Sequence, residues 1–140
     1  MDDCIFCKII KGEIPCHKVY EDNNFLAFLD INPVSHGHVL LIPKIHYRWV
    51  YDLPNFGEYW QVAQKIAIGI KNSSLNPEYI SFLTMGNEVE HAHIHIIPRS
   101  LNDSVEPSLK TIPHLKLSDE NFLEITNIIK NSINKQYDSR

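Results

Sequence analysis

Between residues 56 and 72, apolar side chains recur at Trp60, Ala63, Ile66, Ala67 and Ile70. That i, i+3, i+4 spacing marks one face of an amphipathic helix. On either side of it the period shortens. "HKVYED" (17–22) reads as a strand with a turn after it, and "FLAFLDI" (25–31) as an apolar, buried strand that Asn32-Pro33 ends. "GHVLLIP" (37–43) follows as a strand closed by Pro43. After the helix come "YISFLTM" (79–85), turn chemistry at Gly86-Asn87, and "HAHIHII" (91–97), which Pro98 is expected to end. Two helices flank this set. "CIFCKIIKG" places Ile5, Ile9 and Ile10 on one side and stops at Gly12. The other starts near Ser118, with Leu117 and Phe122 spaced as a hydrophobic staple and Phe122, Ile125, Ile129 and Ile133 as its buried face. Residues 100–117 read as loop. The order predicts an α+β domain: a five-stranded antiparallel sheet, a long helix and short flanking helices.

At 140 residues the expectation is one domain, 1–140. A formal net charge of -4 gives no electrostatic footprint for nucleic acid or an anionic membrane. No apolar run approaches the roughly 20 residues of a membrane span. The N-terminus lacks the basic and apolar regions of a signal peptide. Cys4, Cys7 and Cys16 are an odd number of cysteines, which argues against a disulfide framework. A cytoplasmic protein is therefore expected. In a reducing compartment the Cys4-x-x-Cys7 pair suggests metal or redox chemistry. A thioredoxin-like role is disfavoured, because no βαβ pattern follows the pair. Cys16 is left over as inert.

Histidine changes the picture most. Six of the eight fall in two windows, 36–46 and 91–95. On a strand His91, His93 and His95 share one face, while Ala92, Ile94 and Ile96 pack inward. Three imidazoles carry six ring nitrogens that need partners, so that face is no ordinary core. A solvated face, a metal centre and nucleophilic catalysis all remain open. The backbones of His91 and His95 would lie about 13–14 Å apart, so at most part of the trio serves one ion. For catalysis His93 is the natural nucleophile, since it alone has a histidine on each side. His17, His36, His38 and His114 receive no firm role.

"HAHIHII" resembles the H-x-H-x-H-x-x signature of the histidine-triad (HIT) family, and "CIFCKIIKGEIPCHKVYEDNNFLAFLDINPVSHGHVLLIPKIHY" resembles that family's N-terminal half. Residues 4–98 carry the match; 99–140 do not map. The resemblance implies a nucleotide-binding hydrolase that forms a homodimer with a joined ten-stranded sheet. His93 would attack the α-phosphorus and form a nucleotidyl-histidine intermediate. The His91 carbonyl would fix its tautomer, and His95 would contact the phosphate. The related transferases have glutamine at the third position, so His95 argues for hydrolysis. Asp30 would accept both ribose hydroxyls, alongside or instead of capping its own turn. Phe6, Ile9, Phe28, Leu29 and Ile31 would enclose the base, with Leu40 a weaker member. Val89 and Asn87 would also touch the nucleotide.

The resemblance further implies one structural zinc per chain, held by Cys4, Cys7, His46 and His91, a closed Cys2His2 set. Two departures stand out. Gly86 and Asn87 align with a family Gly-Gln pair, but Glu88 stands where some members carry a phosphate-contacting hydroxyl. A carboxylate there repels phosphate, so Glu88 is expected to point away and offer only its backbone N–H. An asparagine found upstream in many members has no counterpart. The substrate class implied is a purine nucleoside phosphoramidate or a dinucleoside polyphosphate. The alternatives are a nucleotide-binding interaction module without turnover, and a histidine-rich metal carrier.

Overall fold

The computed structural model describes residues 3–103 and 112–138. Helix α1 spans Ile5–Ile10, strand β1 Lys18–Glu21, β2 Phe25–Leu29 and β3 Val39–Pro43. A 3-10 turn follows at Val50–Asp52, then α2 at Phe56–Lys71, β4 at Tyr79–Leu83, β5 at Ile94–Arg99 and α3 at Asp119–Asp138. The five strands form one sheet in the order β1-β2-β3-β5-β4, and every neighbouring pair is antiparallel. The C-terminal helix is itself long, at 20 residues against 16 for α2.

Every residue of β2 and β3 is buried. Both faces of the sheet centre are covered, which is why these strands read as continuous apolar runs. Alternation divides them. Phe25, Ala27, Leu29, Val39 and Leu41 face α2 and α3 in the main core, with Ala92, Ile94 and Ile96 beside them. Leu26, Phe28, Leu40 and Ile42 face the opposite way and join Phe6 of α1. Phe122, Ile125, Ile129 and Ile133 are buried as their spacing predicts. Each contributes about 1.5–3 kcal/mol by leaving water. Leu117 packs with them, and Ser118 and Asn121 close a reciprocal cap: the Asn121 N–H donates to Ser118 Oγ and the Ser118 N–H to Asn121 Oδ1.

Two expectations need correction. On α1, Ile5 is exposed and Phe6 is the buried residue, so Phe6, Ile9 and Ile10 form the packed side. On the last strand, Pro98 lies inside rather than at the end. The β3–β5 ladder stops at Val39 opposite Ile96, so Pro98 has only β4 as a neighbour and its missing N–H breaks no bond to β3. The same strand starts at Ile94, leaving His91 in a bend and Ala92 and His93 in the lead-in; the Ala92 N–H donates to the Tyr47 carbonyl at 2.6 Å.

Among the described part of residues 100–117 there is no helix or strand; 104–111 lie outside the described residues. The Leu115 N–H donates to the Pro33 carbonyl at 2.7 Å, and His114 Nδ1 lies 2.5 Å from the Asn32 carbonyl. These bonds bring the chain past the turn between β2 and β3.

Candidate active site and metal centre

The face of the sheet opposite α2 and α3 carries all the unusual chemistry. Phe6 is its pivot. Its ring meets Phe28, His91 and His93 edge-on, with centroids 5.7, 5.7 and 5.4 Å away. Edge-to-face packing of this kind fixes ring orientation as well as burying area. One side chain of α1 thereby sets two triad imidazoles.

On one side of Phe6 the four residues of the expected metal set converge. Cys4, Cys7, His46 and His91 each offer a ligand atom within 4.8 Å of the others. Cys4 Sγ lies 3.2 Å from His91 Nδ1; Cys7 Sγ lies 3.2 Å from His46 Nδ1 and 3.5 Å from His91 Nδ1. Ligands on a tetrahedral zinc stand about 3.5 Å apart, given bonds of about 2.3 Å to sulfur and about 2.0 Å to nitrogen. The tautomer also fits. His91 Nε2 is 2.9 Å from the Pro43 carbonyl, which only accepts, so Nε2 carries the proton and the Nδ1 lone pair faces the sulfurs. Burial pushes His91 down to about 4 and, with Cys4 beside it, pushes the Cys7 thiol up to about 11. Metal binding at Cys7 must therefore release a proton. Donor set, spacing and tautomer all match a tetrahedral metal site.

On the other side lie His93 and His95. His93 Nδ1 is 2.8 Å from the His91 carbonyl, so Nδ1–H donates there and Nε2 keeps its lone pair. The Thr84 hydroxyl donates to the His93 carbonyl at 2.8 Å, which holds the residue's backbone to β4. Burial lowers the His93 pKa, opposed by the His91 carbonyl and the charge of Asp30, so the ring is neutral at neutral pH. The His95 ring sits 5.1 Å from that of His93.

His38 completes the site. It is 1% exposed. Its Nδ1 accepts the Val34 N–H at 3.2 Å, so its proton is on Nε2. Nε2 lies 2.9 Å from His95 Nδ1 and 3.5 Å from Asp30 Oδ2. Burial pushes both His38 and His95 down to about 3, so the Asp30 contact is no ion pair and both rings are neutral. His38 Nε2–H donates to His95 Nδ1, which leaves His95 with its proton on Nε2. His95 is then a neutral hydrogen-bond donor. His38 carried no sequence motif, yet it stands two residues before Leu40 and four before Ile42, and period 2 puts all three on this face.

A cavity of about 620 Å³ opens between these groups. Its apolar wall includes Phe6, Ile9, Phe28, Ile31, Leu40 and Val89, and its polar wall Asp30, Asn87, His93 and His95. Leu29 lines it too, but packs in the core on the helix side, as alternation with Phe28 demands. Ile31 is 74% exposed at the rim. Asp30 divides its oxygens: Oδ1 accepts the Asn32 N–H at 2.8 Å, the turn expected of it, and the other oxygen is turned toward His38. Glu88 is also among the lining residues, exposed beside Asn87. Leu83, Met85, Cys16 and His114 line the cavity without having been expected there. The last two reach it from loops whose sequence has no periodicity to read.

Known proteins resemble this chain in sequence and in fold. Residues 11–102 match the HIT domain. The chain is 40% identical over 126 residues to the Arabidopsis thaliana adenylylsulfatase HINT3, covering 85% of this chain and 64% of that protein. It is 40% identical over 98 residues to the Saccharomyces cerevisiae adenosine 5′-monophosphoramidase HNT1, covering 69% of this chain and 62% of that one. The crystal structure of a zinc-bound histidine triad family protein from Mycobacterium smegmatis superposes with a TM-score of 0.84 at 27% identity, over 99% of both chains. The sheet order, the three alternating imidazoles and these matches agree, and the chain belongs to the HIT family.

Proposed function

We propose that this chain hydrolyses a purine nucleoside monophosphate off a phosphorus-bound leaving group, a phosphoramidate or a dinucleoside polyphosphate, through a covalent intermediate on His93. The observation that carries this reading is the fixed tautomer of His93: Nδ1–H is committed to the His91 carbonyl, and a neutral Nε2 lone pair remains on a ring that lines the cavity. The Nε2 lone pair forms the bond to phosphorus as the bond to the leaving group breaks. The leaving group departs with that electron pair and takes a proton from solvent. Water then attacks phosphorus and gives up a proton to solvent, and the pair of the N–P bond returns to Nε2. His95 Nε2–H donates to a phosphoryl oxygen, and the Asn87 amide does the same. Asp30 Oδ2 accepts the ribose hydroxyls. Phe6, Ile9, Phe28, Ile31 and Val89 enclose the base, while Leu29 supports it from behind.

Zinc bound by Cys4, Cys7, His46 and His91 would be structural, since all four positions are filled by protein. It would tie α1 to the triad and so hold Phe6 against His93. Metal analysis that finds no zinc in wild type, or equal zinc after Cys7→Ser, removes this part. A homodimer is supported by the sheet edge at β4, unpaired among the described residues, where Phe82 and Phe56, 43% and 44% exposed, both meet the Trp60 ring; a monomer by light scattering at working concentration rules it out. Three free cysteines suit a reducing, cytoplasmic setting. The whole chain, 1–140, would work as one domain.

The test is turnover of adenosine 5′-phosphoramidate and diadenosine polyphosphates. Wild type releases AMP, and His93→Ala loses on the order of 10⁴-fold in kcat. If His93→Ala retains wild-type rates, or wild type releases no AMP from any of them, the hydrolase reading fails.

A further inference from the structure

Residues 86–90 carry the chain from β4 into the triad, and none of them belongs to a helix or strand. Gly86, Asn87 and Val89 all line the cavity. A segment outside the ladders stays in place only through what its ends and side chains touch. Both ends of this one meet a single side chain. Arg48 Nε donates to the Gly86 carbonyl at 3.3 Å, and Arg48 Nη1 pairs with Glu90 Oε1 at 3.1 Å. One planar guanidinium therefore spans the first and last residues of the loop. The same group sits 4.6 Å from the Trp49 ring centre, and that ring lies against Gly86: a Cβ there would be 2.8 Å from Trp49 Cε3 and Cζ3. Trp49 is stacked in turn on Tyr51, with ring centroids 6.0 Å apart. Arg48 itself does not line the cavity.

Taken alone, an ion pair as exposed as Arg48–Glu90, with side chains 40% and 67% exposed, contributes little. Its weight here comes from closing a loop. Within that loop Val89 has an anchor of its own, packed against the Phe6, Phe28 and Leu40 cluster. Asn87 is exposed and stands between the Gly86 and Val89 anchors. Resting on the hydrolase reading above, in which the Asn87 amide meets a phosphoryl oxygen, we infer that Arg48 is a positioning residue: it staples residues 86 and 90 together and holds the phosphate side of the cavity wall in order without touching substrate. A wall ordered before binding spares the nucleotide the cost of ordering it.

Calorimetric titration with AMP and with adenosine tests this, because only AMP carries the phosphate. Arg48→Lys keeps the charge, but one ammonium cannot bridge both ends of the loop as the guanidinium fork does. It should bind AMP about five-fold more weakly and adenosine within about two-fold of wild type. Glu90→Gln separates positioning from simple attraction. If Arg48 merely drew the phosphate by its charge, removing a nearby acid would tighten AMP. A staple that loses one end should weaken it instead. Amide hydrogen exchange over residues 86–90 should quicken in both variants, with retained adenosine binding showing that each is folded. AMP affinity unchanged in Arg48→Lys, tightened in Glu90→Gln, or lost in step with adenosine overturns the inference while the hydrolase reading stands. If wild type binds no AMP, both fall.

Discussion

His38 shows how much a single buried ring decides. It lines the cavity and stays outside the Cys4-Cys7-His46-His91 set, and two hydrogen bonds through it fix the tautomer of His95. Replacing it with leucine leaves the Val34 N–H without its acceptor and frees His95 Nδ1 to take the proton. A lost hydrogen bond with a buried partner left behind costs about 1–3 kcal/mol. If His95 acts by donating from Nε2, His38→Leu should lower kcat about 5- to 100-fold with little change in KM. Glutamine at this position reaches His95 with an amide N–H and should recover part of the loss. Because a merely structural defect would also slow the enzyme, the tautomer itself is the discriminating readout. Nitrogen NMR of His95 should show protonated Nε2 in wild type and in His38→Gln. Finding protonated Nδ1 in the wild type would sink the argument, as would equal kcat in all three proteins.

Elements pack where their residues permit close approach, and α2 against α3 is the clearest case. A Cβ on Gly69 would lie 2.6 Å from Ile133 Cγ1, while the Ser132 hydroxyl donates to the Gly69 carbonyl across the same contact. Gly69→Ala gains helix propensity of about 1 kcal/mol but forces the fully buried Ile133 aside, at about 1–3 kcal/mol or more. Net destabilisation is expected, read as a lower urea midpoint with an unchanged slope. A midpoint at or above the wild-type value would show that the helices part freely. This is also the scale at which the sequence is most and least legible. Periodicity places both long helices and all five strands, because their apolar spacing is dictated by which side meets the core. It misplaces Pro98 and Ile5, because a ladder's far end and a one-and-a-half-turn helix depend on neighbours that no local pattern encodes. The triad and the Cys4-Cys7 pair are legible as chemistry, since such residue types at such spacing have few other uses. His38, Met85 and His114 are not: each reaches the cavity from a different segment, and only the folded sheet brings them together.

For the whole molecule, the site places buried imidazoles in the fold and so ties stability to pH. His38 and His95 are pushed down to about 3 and His91 to about 4, each mainly by burial. In the unfolded chain a histidine titrates near 6.5. Above that value neither state binds a proton at these rings and they give no pH dependence. As pH falls from about 6.5 toward 3, the unfolded chain takes up protons that the folded protein refuses, so stability is lost on acidification. Each group contributes a slope of at most about 1.4 kcal/mol per pH unit. Zinc on His91 would act in the same sense by keeping its proton off. Glu21, held low by hydrogen bonds from Lys18 and Lys44, adds a small exposed term of the same sign at lower pH. Urea unfolding at pH 7, 6, 5 and 4.5 should therefore show falling stability that steepens below 6. His38→Gln should reduce that slope by up to one group's share, because it keeps a donor to His95 while removing one titrating ring. A stability that stays level from pH 7 to 5, or a slope untouched in His38→Gln, would mean that these rings accept protons inside the fold. They would then enter the reaction charged, and the neutral-donor role of His95 would have to be abandoned with the stability argument.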